Sequence, residues 1–155
     1  MSENKKIITL KKTEHEKKSD YSNMQEISFI NMLYLNQDFL EENNVKKKIR
    51  KKLSSYKSQD KKKNRYIDKE FITETEVVEK LFLSQLKCYY CSCHVYLFYN
   101  NNREDSQWTL ERLDNKILHS NENTVVSCLK CNLKRRTSNS KKFLFTKKMN
   151  LIKKL

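Results

Sequence analysis

The chain has 155 residues, 37% of them hydrophobic, which suits one domain, or a small domain with an extended arm, around a modest core. Lys and Arg number 33 against 19 Asp and Glu, and the resulting net charge of +14 points to a polyanionic partner. No stretch is apolar for long enough to cross a membrane and residues 1–20 lack the apolar centre of a secretion signal, so the expectation is a soluble intracellular protein with nucleic acid, not a membrane, as its partner.

Residues 1–20, with Lys5-Lys6, Lys11-Lys12 and Lys17-Lys18 and few apolar groups, read as a disordered basic leader. Residues 21–70 read as a helical basic arm. Within it, apolar residues crowd between Ile27 and Leu40, residues 45–56 form a short basic helix, and residues 58–66 are a polar connection. Residues 71–155 read as the folded domain. Thr73-x-x-Glu76 has the form of a capping box and opens a helix expected to run to about Leu86. Residues 95–99 are rich in β-formers, Asn100-Asn101-Asn102 signals a turn and residues 107–112 form a second strand, which together predict a β-hairpin with Trp108 in its core. A polar loop follows, residues 123–126 lead onward, and a helix begins between Cys128 and Asn132. A basic amphipathic tail has Phe143, Met149, Ile152 and Leu155 as its apolar side. The fold class is therefore α+β. Gly and Pro are absent, so turns fall to Asn, Asp and Ser, which tolerate left-handed backbone better than other residues bearing a Cβ.

Five cysteines are present, and four stand in two Cys-x-x-Cys pairs, Cys88/Cys91 and Cys128/Cys131. Without a secretion signal this spacing favours metal over disulfides and a reducing compartment, cytoplasm or nucleus. Four thiolates in two knuckles make a closed tetrahedral Zn²⁺ site, which staples the fold and leaves no open position for chemistry. Cys93 is read as a spare thiol and His94 as a surface residue.

The segment from Cys88 to Arg136 resembles HNH-type endonucleases, particularly HNH-like proteins of large DNA viruses, and its knuckle pairing is similar to that of phage endonuclease VII. The residues that carry the resemblance are the four cysteines, Trp108-Thr-Leu-Glu111-Arg-Leu-Asp114-Asn115, His119, Glu122-Asn123 and Asn132-Leu-Lys-Arg135-Arg136. The resemblance implies a zinc-stapled ββα-metal domain that hydrolyses DNA phosphodiester bonds with a catalytic Mg²⁺ or Mn²⁺. Glu111 and Asn132 fall on the ligands of that ion, and Asn123 on the residue that orients the loop or the base. Arg112 falls where the family has a general-base His. A guanidinium offers only donors and stays protonated, so it cannot abstract a proton. Asp114 or metal-bound water, with Arg112 clamping the phosphate, is one way to activate the nucleophile; His119 folding back as the base is another. Leu118 stands where relatives carry Gly. Lys134, Arg135 and Arg136 are the expected phosphate contacts. The alternative is a non-catalytic zinc-ribbon protein that binds nucleic acid. Oligomeric state is left open.

Overall fold

The computed structural model describes residues 19–153; the expected basic leader, apart from Ser19 and Asp20, lies outside them. Among the described residues, five helices and a two-stranded sheet make an α+β fold. In chain order they are α1 (Asn23–Tyr34), α2 (Glu42–Lys62), α3 (Glu74–Ser84), β1 (Trp108–Arg112), β2 (Thr124–Cys128), α4 (Leu129–Arg135) and α5 (Ser140–Lys153).

Local sequence explains the helix starts. Ser22 accepts from the Gln25 amide while the Gln25 side chain returns to the Ser22 amide, a capping box that opens α1. Thr73 and Glu76 do the same for α3. The helix α2 runs further than its apolar pattern predicts, to Lys62 and so into the segment expected to be a polar connection, because its last turn is tied inward by Asp60. One core joins the described elements: Ile30, Leu33, Val45 and Ile49 from α1 and α2 pack with Val77, Leu81, Leu97, Trp108 and Leu110. Ile30, Leu33, Val45 and Ile49 of the helical segment 21–70 thus lie in the same buried core as the residues that follow it.

The sheet differs from the predicted hairpin. β1 pairs antiparallel with β2, Glu111 opposite Val125 and Trp108 opposite Cys128. Residues 95–99 form no strand; Tyr96 makes a single bridge to Gln107, while Val95 and Leu97 are buried in the core. Their β-forming composition reflects burial, and the partner strand is the Thr-Val-Val-Ser-Cys run after the polar loop. From Trp108 to Arg135 the order is therefore strand, loop, strand, helix, where a hairpin complete before the polar loop was expected. Turns are carried at positive φ by Asn36, Asn64 and Ser92, as the composition suggests, but also by Gln85, Leu86 and Arg136. Left-handed backbone at such residues is uncommon and costs free energy that the packing around it must offset. Among the described residues, no helix is long and apolar enough to cross a membrane.

Candidate functional site

The two knuckles meet. The Sγ atoms of Cys88, Cys91, Cys128 and Cys131 all lie within 4.8 Å of one another, a cluster that could hold a metal ion. Tetrahedral thiolates about 2.3 Å from Zn²⁺ stand ~3.8 Å apart, and Cys91 and Cys128 Sγ are 3.8 Å apart. Backbone geometry builds the first knuckle: the Cys88 amide donates to the Cys93 carbonyl and the Ser92 amide to the Cys88 carbonyl, with Ser92 at φ 61°. The Tyr89 amide then docks this knuckle on Val126 of β2. In the second, Cys128 sits at the start of α4 and its sulfur accepts from the Cys131 amide. Cys93 lies outside the four but close, its sulfur 3.2 Å from that of Cys91. His94 is not a surface residue: its ring packs edge-on against Tyr96 and its Nε2, buried without a hydrogen bond, lies 3.9 Å from the Glu26 carboxylate.

Beside this cluster, a cleft of about 340 Å³ opens between α2, β1 and α4. Its walls bring together Glu111, Arg112, His119 and Asn132 from the sequence-predicted set, with Lys52 and Tyr56 from α2. Asp114 lines a separate cleft, and its carboxylate accepts from the Lys116 amide.

His119 is fixed by a residue that sequence reasoning missed. The carboxylate of Asp60, fully buried at the end of α2, takes the His119 amide at 2.8 Å and the His119 Nδ1 at 2.9 Å on one oxygen. Arg65 Nε binds the other oxygen at 2.8 Å. Burial pushes the Asp60 carboxyl up, but the hydrogen bonds from His119 and Arg65 outweigh it and hold the group below its usual range. An ionised Asp60 accepts only, so Nδ1 carries the ring proton and Nε2 is the acceptor nitrogen. Burial also lowers the pKa of His119, against the pull of Asp60, which favours the neutral ring. Tyr56 stacks on that ring at 4.5 Å, and its hydroxyl accepts from the Leu110 amide; burial pushes its pKa up to about 12. The available signal was composition: Asp60 is the sole acid among residues 43–67.

Asn123 pins the loop that carries His119. Its side chain accepts from the Asp114 amide and donates to the carbonyls of Asp114 and Leu118 at 2.9 and 3.0 Å. Arg112 adds bonds to the carbonyls of Asn115 and Ile117, so its guanidinium braces the same loop. Leu118 is buried at a negative φ, so the position needs no glycine.

Glu111 does not pair with Arg112. Its Oε1 accepts from Arg135 Nη1 at 2.7 Å, and both side chains are buried. Arg135 also donates to the carbonyls of Arg112, Leu113 and Ser138, tying α4 to the end of β1. It is therefore turned inward, unlike Lys134 and Arg136, which are exposed. Burial pushes the Glu111 carboxyl up, while the Tyr90 phenol and Arg135 pull it down. Glu111 Oε2 is buried with no hydrogen-bond partner; the Tyr90 phenol approaches without meeting hydrogen-bond geometry. On α4, Asn132 gives its Nδ2 to Thr109 Oγ1 at 3.2 Å, which leaves its Oδ1 uncommitted. The orphaned Oε2 and this amide oxygen are hard donors of the kind Mg²⁺ or Mn²⁺ takes.

Lys52 borders the cleft and donates to Gln107 Oε1 at 2.8 Å. Burial, with Lys48 and Lys51 nearby, lowers its pKa to about 8. Comparison with protein-family models, curated proteins and solved structures finds no match for this chain.

Proposed function

We propose that the chain is an HNH-like, metal-dependent endonuclease that hydrolyses DNA phosphodiester bonds, stapled by a structural Zn²⁺ on Cys88, Cys91, Cys128 and Cys131. The observation that carries the reading is a neutral imidazole held ready in a polar cleft: His119, fixed by Asp60 with Nε2 left as an acceptor. Arg112 cannot serve as the base, and His119 supplies what that position lacks. In this reading, water in the cleft gives its proton to His119 Nε2, and Asp60 keeps the ring in the tautomer that can accept it. Asn123 and Arg112 hold the loop in place. Lys52 contributes positive charge to the cleft, and the exposed Lys134 and Arg136 steer the phosphate backbone toward it. Glu111 and Asn132 are the residues that would hold the catalytic cation, which, when bound, neutralises charge developing on the scissile phosphate.

A second reading has its own support. Arg135 already neutralises the Glu111 carboxylate, and this favours a non-catalytic nucleic-acid-binding protein. The two readings separate on plasmid DNA. The nuclease predicts nicking that requires Mg²⁺ or Mn²⁺ and falls in Asn132→Ala, whereas the binder predicts salt-sensitive binding of all variants with no cleavage under either metal. Equal nicking by wild type and Asn132→Ala would point to a contaminant.

A further inference from the structure

Helix α5 presents a second surface that the cleft does not use. It is anchored near its start, where Phe143 packs edge-on against Tyr90 at 4.9 Å and Leu144 joins the core. Beyond that turn no residue of α5 is buried. Phe145, Met149 and Ile152 are 65%, 40% and 63% exposed, and their spacing of four and then three residues sets them in one stripe, away from Phe143. That is the d, a, d spacing of a coiled-coil seam; in the same register Lys142 stands at the preceding a position, Lys141, Lys148 and Lys153 at three of the flanking g and e positions, and Thr146 at the fourth. A helix of this length is marginal in water by itself, so a partner on the seam would stabilise it.

We infer that the outer face of α5 docks an acidic amphipathic helix of another protein. Charge decides the occupant. Two copies of α5 would set lysine against lysine at most of the flanking positions, which disfavours self-pairing, whereas Glu or Asp at the partner's e and g positions would pair with Lys141, Lys148 and Lys153.

The test uses the whole, zinc-loaded protein and a fluorescent synthetic peptide with Leu at a and d and Glu at e and g, followed by anisotropy. Binding is expected, with affinity reduced about tenfold or more by Phe145→Ser/Met149→Ser, and reduced also by Lys141→Glu/Lys148→Glu. Both variants should keep the wild-type metal content and melting temperature, because none of the four residues belongs to the buried core. Absence of binding would overturn the inference. So would equal binding of a peptide with Ser at a and d, which would reduce the effect to charge alone. Self-association abolished by Phe145→Ser/Met149→Ser would assign the face to a second copy, and anionic phosphatidylglycerol vesicles binding through those residues in place of the peptide would assign it to a membrane; either result overturns the inference.

Discussion

Replacing Arg135 by Met tests the packing of the site independently of its activity. Arg135 is 3% exposed and Glu111 4%, so the substitution strands a carboxylate in the core. Breaking a buried pair from one side costs about 3–5 kcal/mol. Part of that cost comes from the Arg112, Leu113 and Ser138 carbonyls, which lose their donor. Adding Glu111→Gln removes the stranded charge and should cut the deficit to roughly 1–3 kcal/mol. The deficit should also depend on pH. Burial raises the Glu111 carboxyl above 4.5 in the folded state, so the fold binds that proton more readily than the unfolded chain. The penalty is then absent below the unfolded value and grows as pH rises through the folded one. Without Arg135 the folded value climbs further, and Arg135→Met should lose less stability at pH 5 than at pH 7. Urea unfolding of zinc-loaded protein measures this. A deficit under about 1 kcal/mol, one that is constant with pH, or one that Glu111→Gln does not relieve would refute the reasoning.

The metal cluster makes a stoichiometric prediction: Cys131→Ser should lose the metal and, with it, stabilisation on the order of 10 kcal/mol, leaving residues 88–132 unfolded by circular dichroism. Cys93→Ser should still bind one Zn²⁺ per chain, as elemental analysis would report; loss of the metal would place Cys93 among the ligands. Asn123→Ala removes the side chain that ties the 113–119 loop together and should cost about 2–3 kcal/mol. Hydrogen exchange should rise in that loop while α1 and α3 stay protected, and an unchanged loop would count against the bracing role.

Local signals were legible in the sequence wherever neighbours in the chain decide the structure. The Thr73 capping box, the two cysteine pairs and the buried Trp108 all belong to this kind. The hairpin was misread because residues 95–99 carry the composition of a strand for a different reason, burial of Val95 and Leu97, while the true partner of β1 follows an eleven-residue loop, between Arg112 and Thr124. Asp60 stood out in sequence only as a lone acid in a basic stretch; 59 positions separate it from His119, and only the fold reveals that α2 delivers it to that ring. Three basic residues in a row, Lys134 to Arg136, look equivalent in sequence. The turn of α4 separates them, burying Arg135 against Glu111 and leaving its neighbours in water. Arg112, read as a phosphate clamp, lines the cleft and also donates to two loop carbonyls, a contact that sequence alone does not reveal.

The role of His119 is tested most directly by the rate of plasmid nicking at saturating Mn²⁺ in wild type and His119→Ala, measured across pH. The account predicts a fall of about 10²–10⁴-fold in the variant. It also predicts a wild-type acid limb with its midpoint below 6.5, since burial lowers the pKa of His119, and that limb should vanish with the imidazole. Equal rates, or an acid limb that survives the substitution, would contradict it.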